Sequence, residues 1–131
     1  MTIRVTDLAD AELEVMSALW DRGPSTVRDL QEHLAAKGRQ WAYTTVQTLL
    51  TRLEAKQFAA TERGATPFVY KARVSRDKVR RSRVKTLVGQ LYDGAPGALA
   101  LHLLKTSRLS REDIAALQVL IDELDHDKQT E

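Results

Sequence analysis

"WAYTTVQTLLTRLEAK", residues 41–56, is the stretch whose reading decides the fold. At about 100° per residue along a helix, Val46, Leu49, Leu50 and Leu53 gather on one side. Thr44, Thr48 and Thr51 gather on the other, flanked by Gln47 and Arg52, with Thr45 at the edge and Tyr43, just before the threonines, a further candidate for contact with DNA. Threonine is a weak helix former, because its branched Cβ is stiff against the preceding turn. A water-facing helix normally carries Glu–Lys pairs four residues apart instead. A polar face that stays uncharged until Arg52 suits a DNA major groove. There hydroxyls donate and accept, a threonine methyl meets the thymine methyl, and a glutamine amide pairs bidentately with adenine.

Upstream, "DAELEVMSALWDRG" (10–23) sets Leu13, Met16, Leu19 and Trp20 at helical spacing and ends at Gly23-Pro24. Asp7 and Asp10 are its two candidate caps. "STVRDLQEHLAAKG" (25–38) opens with Thr26 and Asp29 in capping-box spacing, buries Val27, Leu30 and Leu34, and stops at Gly38. Downstream, "FAATERGATPFVYKARV" (58–74) alternates through Phe58, Ala60 and Glu62, turns at Gly64-Ala65-Thr66-Pro67, and returns through Phe68, Val69, Tyr70 and Lys71. A helix, a helix–turn–helix and a two-stranded hairpin make a winged helix–turn–helix, with residues 41–56 as its reader.

From Ser75 the character changes. "SRDKVRRSRVKTLVGQLYDG" (75–94) predicts a helix capped by Ser75, with Val79, Val84, Leu87, Val88 and Leu91 on one side. "APGALALHLLKT" (95–106) is apolar nearly all round. "LSREDIAALQVLIDELDHD" (109–127) starts at Ser110 with Asp113 three residues on, and its stripe is Ile114, Leu117, Leu120, Ile121 and Leu124. Three greasy helices in so short a segment bury too little surface to stand alone, and a two-fold partner is the simplest closure. The expected architecture is mainly α: a winged-helix domain over 1–74 and a helical dimerisation domain over 75–131. The expected dimer face comprises Leu87, Leu91, Leu101, Leu104, Leu117, Leu120, Ile121 and Leu124.

Charge is unevenly placed. Residues 39–85 hold twelve Lys/Arg against three acids, while both ends of the chain are acidic, a layout that fits one polyanion-facing surface. Arg39, Arg52 and Lys56 are expected at the rim of the reader, reaching phosphate, with Arg63 and Lys71 of the hairpin meeting the flanking backbone or the minor groove. The 131 residues contain no cysteine, which removes disulfides, thiolate zinc sites and cysteine nucleophiles. His33, His102 and His126 are scattered without partners at ligand spacing, and no motif of nucleotide binding, zinc proteolysis or acyl transfer occurs. No enzyme, cofactor or metal is expected. The absence of a signal-like start or a long apolar run predicts a cytoplasmic protein with no membrane insertion.

"ELEVMSALWDRGPSTVRDL", "YTTVQTLLTRLEAK" and "YDGAPGALALHLL…LSREDIAALQVLID" together resemble the penicillinase/methicillinase repressor family (BlaI/MecI/CopY-like transcriptional regulators) over nearly the whole chain. The resemblance implies a winged-helix domain, a helical dimerisation domain, and repression by a homodimer on palindromic operator DNA. It implies Thr44, Thr45, Gln47, Thr48 and Arg52 as readers. In members tied to β-lactam sensing, and so to antibiotic resistance, a membrane sensor protease cuts the C-terminal domain, a cut that would fall at His102–Leu103 here. The surrounding "GALALHLLK" is more apolar than in those repressors. The cysteine-rich tail of the copper-responsive branch is absent, and Ala9 stands where the family usually places a Ser or Thr cap. Two other classes stay open: a winged-helix module that binds an acidic protein, and a small-molecule-responsive regulator with its effector among the C-terminal helices.

Overall fold

The computed structural model describes residues 8–62, Gly64 and residues 66–130. The elements run α1 (Asp10–Arg22), α2 (Val27–Ala36), α3 (Tyr43–Ala55), β1 (Ala59–Glu62), β2 (Val69–Ala72), α4 (Arg76–Leu91), α5 (Pro96–Thr106) and α6 (Arg111–Thr130). Every element read from the sequence is present in that order, and the fold is a mainly helical winged helix followed by further helices.

The first three helices bury the stripes their spacing demands. Val15, Met16, Leu19, Leu30, Leu34, Val46, Leu50 and Leu53 form one core with Phe58, Tyr70 and Val74. Thr26 caps α2 as expected. Its hydroxyl accepts the Asp29 N–H, and the Asp29 carboxylate accepts the Thr26 N–H, both at 3.1 Å. α1 starts with alanine at the cap position, as the family resemblance implied. Ala9 is the cap residue and offers no side-chain oxygen, Asp10 is already helical, and Asp7 lies outside the described residues. The Ala9 N–H is taken instead by Glu12 Oε1 at 2.8 Å.

The chain leaves α3 through Gln57 in the left-handed region (φ 69°). This lets the Phe58 N–H reach the Leu53 carbonyl at 2.9 Å and turns the Phe58 ring into the core. β1 and β2 then pair antiparallel, Ala59 opposite Ala72 and Glu62 opposite Val69. The hairpin is also stitched to the loop between α1 and α2. Ser25 and Tyr70 exchange both backbone hydrogen bonds, at 3.0 and 2.8 Å. Sequence spacing gave no sign of this bridge, because it joins residues 45 positions apart.

The described chain divides into two compact units between Thr86 and Leu87, inside α4, whereas the sequence boundary falls at Val74-Ser75. Ser75 does cap α4, accepting the Lys78 N–H at 3.0 Å. The first turns of α4 nevertheless belong to the winged unit. Val79 is buried in its core, Trp20 Nε1 donates to the Val74 carbonyl at 2.9 Å, and Arg76 lies 5.5 Å from the Trp20 ring centre. Val79 therefore does not share a side with Val84, Leu87 and Leu91, which are exposed.

In the second unit, Ser110 caps α6 through the Asp113 N–H at 3.0 Å. Among residues 87–129 only Val88 is buried. Leu91, Leu101, Leu104, Leu120, Ile121 and Leu124 are exposed, Leu91 to 67%; Leu87 is also exposed, and Leu117 is half-buried. His102 and Leu103 sit in the middle of α5, and the His102 carbonyl accepts the Thr106 hydroxyl at 2.7 Å.

Candidate nucleic-acid interface

α3 is fastened from behind and bare in front. Val46, Leu49, Leu50 and Leu53 are buried, while Tyr43, Thr44, Thr45, Gln47, Thr48, Thr51 and Arg52 are all exposed. Among the described residues, the side chains of Thr44, Thr45, Gln47, Thr48 and Arg52 make no hydrogen bond or ion pair. Thr51 is different: its hydroxyl donates to the Gln47 carbonyl at 3.0 Å, so its donor is already used by the helix. Tyr43 and Gln47 border a cleft of about 500 Å³, shared with Thr26 and Arg28 at the start of α2 and with Pro67 and Phe68 of the wing.

Two contacts fix the helix at its C-terminal end. Glu12, buried in α1, takes the Lys56 ammonium on both oxygens, at 2.8 and 3.1 Å. Glu54 accepts from the Thr61 N–H at 2.9 Å and from the Thr61 hydroxyl, tying α3 to the wing strand. Both acids are visible in the sequence, but nothing there marks Glu12 as buried, since its partner lies 44 residues away.

Two of the cations expected to reach phosphate, and three further arginines of α4, already have partners within the chain. Arg39 pairs with Glu14 at 2.7 Å and Lys56 with Glu12. Arg76 holds Asp21 at 2.6 Å and the Ser17 carbonyl at 3.0 Å, Arg81 pairs with Asp77, and Arg83 donates to the Leu8 carbonyl. Lys71 stands 3.9 Å from Glu62 on the exposed wing, a pair weak enough to yield to phosphate. Arg63 lies outside the described residues. Arg28 is an addition that the sequence reading missed. It is exposed in the first turn of α2, and its signal was an N-terminal cation set against the helix dipole.

Asp21, at the end of α1, collects Lys37 Nζ at 2.8 Å, Arg76 Nη2 at 2.6 Å and His33 Nε2 at 3.2 Å. Hydrogen bonds from Lys37, then Arg76 and His33, hold its carboxyl well below the usual carboxylate range. A depressed folded-state pKa contributes stability above the unfolded value, roughly pH 4, and that contribution is lost as pH falls toward the folded value. Asp21→Asn is therefore expected to melt below the parent at pH 7, with the gap closing in acid below about pH 4. Thermal unfolding followed by circular dichroism across that range checks it; a gap independent of pH would contradict it. Asp29 is likewise lowered, by its bonds with Thr26.

Among the described residues no group of three or more His, Asp or Glu is placed to hold a metal ion, and no helix is long and apolar enough to cross a membrane. The penicillinase repressor profile matches residues 8–123, both units included. The chain belongs to the penicillinase repressor family. It is a DNA-binding transcriptional repressor of winged-helix fold. Within the family it is 26% identical to the penicillinase repressor of Bacillus licheniformis, covering 92% of this chain and 93% of that one. It is 25% identical to the methicillin resistance regulatory protein MecI of Mammaliicoccus sciuri, over 93% and 98% of the two chains. The solution structure of monomeric Bacillus licheniformis BlaI in complex with the blaP half-operator is similar at 28% identity, over 56% of this chain and 89% of that one, with a TM-score of 0.47.

Proposed function

We propose that this repressor acts as a homodimer on palindromic operators, with α3 of each copy lying in a major groove. The observation that carries the reading is the front of α3. Four side chains able to address base edges, Thr44, Thr45, Gln47 and Thr48, face outward without internal partners, on a helix locked behind by Val46, Leu49, Leu50 and Leu53. Short side chains let the helix axis approach the base pairs, where Gln47 suits adenine and the threonines suit thymine. Tyr43 and Arg52 flank the ridge, and Arg28 and Lys71 offer cations to the backbone on either side. Arg39 contributes only if it releases Glu14, an exposed pair worth about 1 kcal/mol or less.

The dimer half of the proposal draws on the second unit. A soluble chain rarely leaves large contiguous apolar patches bare, and α4–α6 carry exposed Leu91, Leu101, Leu120, Ile121 and Leu124. Two-fold pairing of those helices closes them and sets two readers about 34–36 Å apart, or a multiple of that. Two of its relatives are named as a penicillinase repressor and a methicillin resistance regulatory protein, so a resistance gene is a reasonable first target to test. Release by a membrane sensor's protease at His102–Leu103 is the remaining part of the proposal. The bond is exposed, and cutting it requires α5 to unwind locally.

Selection from a random duplex pool tests the reading. A palindromic motif should be enriched, and its affinity should fall with salt at a log–log slope of about −0.9 per phosphate neutralised. Binding without an enriched motif, or indifferent to salt between dilute and physiological buffer, would contradict it.

A further inference from the structure

We infer that the cleft between α2, α3 and the wing is a binding site for a planar aromatic carboxylate, and that filling it excludes DNA. Its volume, about 500 Å³, lies in the range of small-molecule sites. One wall is aromatic and apolar. Tyr43 comes from α3, Tyr70 from β2, and Pro67 and Phe68 from the wing. Phe68 is 58% exposed, so the wing presents more than half of this residue to solvent. The polar part of the lining is Thr26, Arg28 and Asp29 at the start of α2 and Gln47, one turn beyond Tyr43 on α3.

Charge complementarity selects the occupant. Arg28 sits in the first turn of α2, where the helix dipole opposes a cation. No carboxylate pairs with it among the described residues. Its neighbour Asp29 is turned to the Thr26 N–H instead. An unpaired guanidinium accepts a carboxylate through two parallel hydrogen bonds, and the rings of Tyr43 and Phe68 offer stacking or edge contacts to a flat aromatic body. A small inorganic anion leaves the aromatic wall unused, and a neutral aromatic leaves Arg28 unpaired. Tyr43 and Gln47 belong to both the cleft and the front of α3, so an occupied cleft competes with the groove for the same side chains. That last step rests on the reading of α3 proposed above.

The test uses the full chain and naphthoate, with naphthamide as its neutral counterpart. Binding of the free chain to the selected duplex is measured first; its absence would overturn the reading of α3 and with it the exclusion of DNA, and the ligand site would then be decided by the naphthoate arm, which follows naphthoate fluorescence, backbone amide resonances and competition with duplex. In that arm, naphthoate is expected to bind saturably, to shift the amide signals of Tyr43, Gln47 and Phe68, and to raise the apparent Kd for duplex. Arg28→Gln should weaken it by about ten- to a hundredfold, Phe68→Ala should weaken it as well, and naphthamide should not bind measurably. Both side chains are exposed, so neither variant threatens the fold. Naphthoate affinity unchanged by Arg28→Gln, or amide shifts confined to residues 87–130, would overturn the site. Naphthoate bound at the cleft with duplex affinity unaltered would overturn the exclusion of DNA.

Discussion

Changing Ile121 and Leu124 together to aspartate is expected to leave the protein as a single chain in solution and to weaken its hold on a two-half-site operator by about 10²- to 10⁴-fold. Both side chains are on α6 and 54% exposed, so neither supports the fold of its own copy. Within a two-fold interface each would face apolar neighbours, and a carboxylate there loses hydration without gaining a partner. The loss on DNA arises because the second reader is no longer delivered at the high local concentration that a joined pair provides. Sedimentation velocity and duplex binding check it. The variant should sediment as one chain and keep only weak half-site binding, with the winged unit melting normally. A variant that still forms dimers, or binds the full operator undiminished, would contradict the assignment of α4–α6.

The largest effect on stability is expected from Phe58→Ala, at about 3–5 kcal/mol. Among the described residues Phe58 is the largest fully buried side chain, and it stands at the joint between the reader and the wing. Its N–H bonds the Leu53 carbonyl at 2.9 Å, and its own carbonyl accepts the Arg73 N–H at 2.8 Å. Removing the ring leaves a cavity behind both elements. Because a domain of this size is stable by only about 5–15 kcal/mol, the loss consumes a large share of the margin. Urea unfolding should show a lower midpoint with little change in slope. A cost below about 1 kcal/mol would mean that the joint collapses around the gap and is less tightly packed than described.

Much of this architecture was legible because its determinants are local. The spacing of Val46, Leu49, Leu50 and Leu53 reports the buried side of α3, and Thr26 with Asp29, Ser75 and Ser110 mark helix starts within three residues of their partners. What escaped is non-local. The Ser25–Tyr70 bridge, the Glu12–Lys56 pair and the cluster around Asp21 each join segments that only the folded chain brings together. The charge count along residues 39–85 could not show which cations are already engaged: Arg39, Lys56 and Arg76 pair with acids of α1, and Arg83 with the Leu8 carbonyl, all distant in sequence. Periodicity in α4 also misled, since one helix serves two units: Val79 faces the winged core, and the later apolar positions turn elsewhere. For the candidate interface, the exposed ridge of α3 could be read from spacing, whereas the cleft needed the wing to be placed against α2 before Arg28 and Phe68 came together.

The central claim is that the front of α3 reads base edges, and the most direct measurement is the affinity of the parent and of Gln47→Ala for the selected operator and for every single-base-pair variant of it. Gln47 is exposed and makes no internal bond, so its loss leaves the fold intact. Loss of discrimination by about 1–3 kcal/mol at one symmetric base-pair position, with the other positions still distinguished, is the predicted result. Equal weakening on every duplex, with the sequence preference of the parent unchanged, would contradict it.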